Sequence, residues 1–518
     1  MLRIDPQLSF SIFENLYDTV VPKDNILRKI KEEIDFSFVN EMLKSQYCEA
    51  FGRPAKEPEM MFKILFLKRM YDMSDEVLVD QLGYNMAFKY FIGLAPEDST
   101  IDPSLLTKFR KTRITEDILE EMLHEIMRQA IEKGLVKSRA IIVDSTHSCS
   151  KGNPETPTQI LRRMSKALRK EIYKTQPELA EYFPEKPSDV ATIDEEIKYT
   201  KELAKILEGR LSYKTTQKLL GNINEILEED KIKEIQSGFD EDATIGHKSI
   251  DSSYFGYKSH IAITDERMIS AIEVTTGRSH DTNELTKLVE KSKANGVDVT
   301  EVLGDKAYSS KDNIEYCEEE DIKLISRLCS SISDVERKDD GFVFNKDAGT
   351  MQCPEGHLAM RRELQKSKSG SEYYYFAFSI KKCKVCPRFG TCYKGGKTKG
   401  HTAKINRSET HQKQYEFEQT EYFNVRIKDR YKIEAKNAEL KECYGLRRCK
   451  YTGLHGMKIQ IFFTAFVANA KRIVKLREMA TSLGAGFNFF TLRNRKLSEC
   501  RMIELRMHSH FRKIALFQ

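Results

Sequence analysis

The sequence predicts an α/β protein built on a mixed sheet and preceded by a helical region, and three observations carry that prediction. Two alternating apolar segments, YFGYKSHIAIT (254–264) and MISAIEVTT (268–276), flank the polar stretch DER, as the strands of a hairpin do. Two further apolar runs, 139–144 and 299–305, each end on an aspartate. An amphipathic segment over 281–296, closed by Gly296, precedes the second run, and the short strand pattern IKLIS (322–326) follows it. Antiparallel pairing followed by strand–helix–strand steps gives a sheet with both senses of pairing.

The other elements follow in order. Residues 1–35 read as a loosely structured lead-in and 36–135 as helices. EPEMMFKILFLKRMYDM has apolar residues at helical spacing, and Ser74 is placed to cap MSDEVLVDQL. In IDPSLLTKFRKTR, Asp102 is a cap and Pro103 a first-turn residue of a helix carrying Lys108, Arg110, Lys111 and Arg113. Those cations fit either a solvated helix end or a surface for DNA. The segment 155–235 is a charged helical insertion, and 330–420 is rich in Lys, Gly, Ser and Tyr with a cysteine cluster. Helical patterns resume from 421. The expected division is 1–135, then 136–150 with 240–330 and 421–480 as the sheet domain, insertions at 151–239 and 331–420, and a basic tail at 481–518.

The totals narrow the function. At 518 residues, 40% hydrophobic and 32% charged, the chain has the composition of a soluble globular protein. Its formal charge of +6 favours a polyanionic partner only mildly. The longest apolar run, IQIFFTAFVANA (459–470), is too short to span a bilayer, so no membrane partner is expected. No basic stretch followed by an apolar one opens the chain, so no secretory leader is expected, and the eleven cysteines read as reduced thiols of a cytoplasmic protein.

Asp144 and Asp305, at the ends of neighbouring strands, would repel each other unless a cation sat between them. Paired carboxylates that bind Mg²⁺ are the usual remedy, and two-metal phosphoryl transfer needs a third acid from another element. Arg426, Arg430, Glu434, Asn437 and Lys441 recur at intervals of three and four, which puts them on one stripe of a helix. Such a stripe is also what a solvated face with Arg–Glu pairs looks like.

Taken in order, these residues resemble the DDE transposases of bacterial insertion sequences. The family's catalytic domain has the RNase H-like fold, with the first Asp ending strand one, the second ending strand four and a Glu on a late helix. The family helix pattern is Tyr, two residues, Arg, three residues, Glu, six residues, Lys. Arg430, Glu434 and Lys441 match it, while Ile427 stands at the tyrosine position. FGRPAKEPEMMFKILFLKRMYDMSDEVLVDQL resembles the family's end-recognition domain, and GYKSH, GDKAYSS and GLRRCKYTGLHGMKIQ are family-like as well. The two insertions resemble the insertion-sequence eleven-eighty-two branch. The resemblance implies cleavage at the element's terminal inverted repeats and joining of the freed 3′-hydroxyl to target DNA. It implies Asp144, Asp305 and Glu434 as ligands of Mg²⁺ or Mn²⁺, and a homodimer on double-stranded DNA. Arg430, Lys441, Arg447, Arg448, Lys108 and Arg110 would contact phosphates, with Lys258 and His260 approaching the site from one strand face. Two rival readings share these residues: an RNase H-like nuclease without strand transfer, and a non-catalytic DNA-binding protein on the same scaffold.

The cysteine insertion carries a second metal reading. CPEGH supplies Cys353 and His357, and CKVCPRFGTC supplies Cys383, Cys386 and Cys392. A C-x₂-C pair places two thiolates on one turn, as tetrahedral Zn²⁺ requires. The expected ligands are Cys353, Cys383, Cys386 and Cys392, with His357 as substitute for one of them. Free cysteines in a flexible loop are the alternative.

Overall fold

The computed structural model describes residues 11–484, apart from 14, 49–53, 189, 229–238, 250–251, 329–335, 338–341, 346–349, 356, 367–371, 394–400 and 407–408. The chain divides into two compact units, Met1–Lys137 with Ala465–Gln518, and Ser138–Thr464.

The first unit is helical. Its core gathers Phe36, Phe62, Phe66 and Phe91, with ring centroids 5.5–5.9 Å apart in four of the pairs. Ser74 caps Asp75–Tyr84 through Val77 N–H, and Pro58 opens Pro58–Met70. The expected lead-in contains helices at Leu16–Val20 and Ile26–Glu33 instead, because Leu27 and Ile30 form an apolar face that the core buries. The run 459–470 lies inside the helix Gly453–Gly484, and no described helix is long and apolar enough to cross a membrane. The basic tail expected at 481–518 lies almost wholly outside the described residues.

The second unit holds the mixed sheet, with the strands β1 (Ala140–Cys149), β2 (Thr244–Ser249), β3 (Ser252–Thr264), β4 (Ile269–Thr276), β5 (Glu301–Leu303) and β6 (Lys323–Ile325). β3 runs antiparallel to β1 from Ile141↔Thr264 to Cys149↔Gly256. On its other edge β2 pairs with the first half of β3 and β4 with the second. β5 joins β1 in parallel, and β6 joins β5. This is the RNase H-like α/β fold, as expected. Gly256 makes the tight passage possible: at φ +156°, a Cβ there would stand 2.1 Å from Ser148 O.

Two strand expectations need correction. β1 was expected to end at Asp144 but continues through Ser145–Cys149, because β3 supplies partners for the whole polar segment. β2 carried no apolar alternation by which to find it.

Both insertions are folded where described. The first packs the helices Pro157–Thr175, Ile193–Leu207 and Lys214–Glu228 around Leu168, Ile172, Leu203, Leu207 and Ile223. The second forms two small three-stranded sheets around Phe342, Met351, Phe376 and Phe378.

A backbone clasp follows the Glu434 helix, Tyr431–Cys443. Cys149 N–H donates to Arg447 O (3.0 Å), and Cys449 N–H donates to Cys149 O (2.8 Å). Ser148 Oγ donates to Leu446 O at 2.6 Å. The far end of β1 and the exit of the helix are therefore bound together.

Candidate active site

Asp144 and Asp305 each stand two residues beyond the last pair of the parallel ladder, Ile142↔Leu303. Asp144 is still within β1, and Asp305 lies in the turn that follows β5. Asp305 caps the turn Lys306–Tyr308, its Oδ1 accepting from Ala307 N–H at 2.9 Å. Burial pushes the Asp144 carboxyl up to about 6, and the charge of Asp305 adds to the rise. Burial also raises Asp305, with Asp281 as the first charge acting in the same direction. Arg430 opposes the rise at both.

The Glu434 helix reaches the pair through Asn437, whose Nδ2 donates to Asp144 Oδ2 at 2.9 Å. Glu434 itself accepts from Arg430 Nη2 at 2.8 Å, and its side chain is 59% exposed. The expected stripe is broken at its start. A 3₁₀ turn, Ile427–Arg430, changes the phase, and Arg426 turns instead to Asp265 and Glu301 (2.6 and 2.9 Å). Lys441 is half-buried further along the helix.

The remaining candidates fall in several places. Lys258 and His260 share one face of β3, opposite His147 and Ser145. Lys258 Nζ lies 3.1 Å from Asp281 Oδ1 and donates to Ser279 O at 2.9 Å. His260 is fully buried, 3.5 Å from the same oxygen, and burial lowers its pKa. Arg447 is exposed and paired with Glu442. Arg448 donates to the carbonyls of Ser150 and Lys151 at 3.3 and 2.9 Å. In the first unit Lys108 is exposed, whereas Arg110 is buried and bonded to both oxygens of Asp75 at 3.0 and 2.5 Å. Asp281 and Tyr308 were not anticipated. Asp281 looked like an ordinary helix start, and Tyr308 was one letter of GDKAYSS.

The donor set fits a hard divalent cation. Several buried polar atoms about the two aspartates have no hydrogen-bond partner: Thr146 Oγ1, Ser259 Oγ, Tyr308 Oη and Asn437 Oδ1. These four are oxygens, as Mg²⁺ prefers, while the nitrogens His260 Nδ1 and Arg430 Nε also have no such partner. Among the described residues no group of three or more His, Cys, Asp or Glu side chains forms a ready-made cage. Glu434, held by Arg430, does not complete one with the aspartates.

A family model described as a transposase DDE domain matches residues 227–470, and a second, described as a transposase domain, matches 15–112. The chain belongs to the DDE transposases. The matched segments run through β2–β6 and the Glu434 helix in the second unit, and through most of the helices of the first. The family uses divalent metal ions. The chain is also 26% identical over 132 residues to the uncharacterized protein ORF8 in the nfe locus of Rhizobium meliloti. That alignment takes in 25% of this chain and 63% of the relative's length.

Proposed function

We propose that this chain cleaves DNA at the ends of an insertion sequence and joins the freed 3′-hydroxyl to target DNA. The observation that carries the reading is that Asp144 in β1 and Asp305 just past β5 each follow the last pair of the β1–β5 ladder by two residues, with Asn437 of the Glu434 helix bonded to Asp144. Asp144 and Asp305 would hold Mg²⁺ or Mn²⁺, with Glu434 delivered from the helix. A divalent ion there supplies Lewis acidity, activating an oxygen nucleophile and stabilising the leaving oxygen. Asn437 orients the Asp144 carboxylate by its hydrogen bond. Arg430, and Lys441 with it, would anchor phosphates beside Glu434. The first unit would read the terminal inverted repeats, and the chain would act in the cytoplasm as a dimer on two ends. The test is incubation of the purified protein with Mg²⁺ and the DNA flanking its own gene, mapping each cut strand. Joined product is the expected result. Cuts without joining favour a plain nuclease, and tight binding without cuts a non-catalytic DNA-binding protein.

A structural Zn²⁺ belongs to the same reading. Cys353, Cys383, Cys386 and Cys392 are free thiols lining one pocket with His357 and His401. His401 Nδ1 lies 2.9 Å from Cys392 O, which ties a second histidine to the cluster. Burial raises the Cys392 thiol, and the other three cysteines add to the rise. Zn²⁺ would relieve that repulsion and supply folding energy to a small core. Protein purified under reducing conditions without chelator should carry about one zinc, lost in Cys383→Ser. Metal analysis near zero would reject the site.

A further inference from the structure

Charge is spread unevenly along this chain. Between Glu372 and Glu409 no acid occurs over 36 residues, while nine lysines and arginines do. Of the 85 cations in the whole chain, 76 therefore lie outside that segment, against 79 acids, so the rest of the chain is slightly acidic. The first insertion, 151–239, is the contrast. It carries sixteen cations and sixteen acids, and Arg162, Arg163 and Lys174 close on Glu196, Glu155 and Glu171. One insertion neutralises itself, and the other has nothing of its own to do so.

The described part of the basic segment has a definite shape. The short helix Ile380–Lys384 presents Lys381, Lys382 and Lys384, all exposed and, among the described residues, in no ion pair. Arg388 follows, also exposed, 3.2 Å from Glu355. Phe389 N–H donates to Cys386 O at 3.0 Å and Cys392 N–H to Arg388 O at 3.1 Å, which closes a tight knuckle, with Gly390 at φ +94°. Two apolar side chains stand in solvent among these cations: Val385 is 84% exposed and Phe389 52%. Phe389 is braced edge-on by Tyr393, their ring centroids 6.0 Å apart. Crowded lysines and bare apolar groups are both relieved by a partner that offers dense negative charge beside apolar surface. Duplex DNA does so, with one charge per about 1.7 Å of its axis and sugars and base edges in its minor groove.

We propose that the knuckle 380–389 is a contact to the duplex backbone. Lys381, Lys382 and Lys384 pair with phosphates, and Val385 and Phe389 lie against the minor groove between them. Phosphates carry no sequence, so the knuckle grips element ends and target DNA alike. The inference rests on the reading that duplex DNA is the substrate, and not on the assignment of any metal ligand.

The test is the salt dependence of binding by the full chain, read by fluorescence anisotropy on element-end DNA and on random duplex. Lys381→Ala/Lys382→Ala/Lys384→Ala should lower the slope of log affinity against log salt by about 2–3 on both duplexes. Lys381→Arg/Lys382→Arg/Lys384→Arg should keep the wild-type slope. Phe389→Ala should weaken binding a few-fold at unchanged slope, because an apolar contact releases no counterion; wild-type affinity there would remove the groove contact. Lys166→Ala/Lys170→Ala/Lys198→Ala takes the same charge from exposed positions of the first insertion and should bind as wild type does. A wild-type slope in the triple alanine variant of the knuckle, or an equal drop in that control, would overturn the inference and leave the DNA reading standing. A wild-type chain that binds neither duplex would overturn both. A loss confined to element-end DNA would make the knuckle a sequence reader and refute the backbone contact. Binding to vesicles rich in phosphatidylserine that the triple alanine variant loses, with its DNA slope unchanged, would give the surface to a membrane instead.

Discussion

Asp265 lies between β3 and β4, Asp144 lies within β1, and the segment around Glu434 reaches both. Arg426 and Lys432 close on Asp265 at 2.6 and 2.8 Å. Burial pushes the Asp265 carboxyl up, but these two cations outweigh it and leave it below the usual range. At Asp144 the same segment offers a hydrogen bond from a neutral amide and the opposing charge of Arg430, yet burial, with Asp305 adding to it, carries the carboxyl up to about 6. One carboxylate has its cations built in, and the other is left for a cation from outside. That difference separates a structural acid from a working one, although both are half-buried.

The largest effect should come from breaking the second region. Asp144→Ala and Asp305→Ala should each lower strand cleavage by about 1000-fold or more, with end-DNA affinity unchanged by fluorescence anisotropy. Cleavage retained in either would end the assignment. Glu434→Ala should lose cleavage as well.

Breaking the first region should cost stability instead. Arg426→Ala takes the cation from Glu301, leaves Asp265 with Lys432 alone, and should lower unfolding free energy by about 3 kcal/mol in urea titrations. Asp144→Asn should do the opposite in chelator, stabilising the metal-free protein by about 1–2 kcal/mol at neutral pH. Equal signs for the two would erase the contrast.

The pH dependences should also run in opposite directions. The folded pKa of Asp265 lies below its unfolded value, so the unfolded chain binds more protons. Its stabilising contribution is present above the unfolded pKa, about 4, and is lost as pH falls through the folded one. The folded pKa of Asp144 lies above its unfolded value, so its contribution declines as pH rises from about 4 to about 6. Melting curves in chelator, comparing wild type with Asp265→Asn and with Asp144→Asn, would read each slope.

The smallest effect concerns Lys108 and Arg110. Lys108→Ala should weaken end-DNA binding a few-fold and reduce the salt slope by about one. Arg110→Ala should lower thermal stability, because it strips Asp75 of a buried partner.

β3 and β4 could be read from period-two alternation, and the first half of β1, with β5, from short apolar runs. Asp144 and Asp305 were visible because an acid closing an apolar run is costly. The continuation of β1 was not visible, because STHSC is polar and becomes strand only through its β3 partners. Nor was the fate of Arg426 and Arg110. Spacing places cations on a helix face, but a 3₁₀ turn or an inward acid decides where each one is spent. Asp281 escaped for a related reason: its proximity to Asp305 depends on long-range stitching through Thr282 and Asn313.

The clasp between β1 and the exit of the Glu434 helix bears on how such a chain tolerates change. The cysteine insertion lies between β6 and that helix, so its length would ordinarily alter how the helix is delivered. Cys149, Leu446, Arg447 and Cys449 anchor the helix from its downstream end, and Arg426 and Lys432 tie its start to Asp265, so both ends are held by the sheet domain and not by the insertion. Doubling an upstream loop then costs only about 0.6 kcal/mol of closure entropy. Lineages could lengthen, shorten or replace that insertion while the register of Asn437 on Asp144 stayed fixed, which makes the segment a place where new DNA contacts can be tried at little risk to the chemistry.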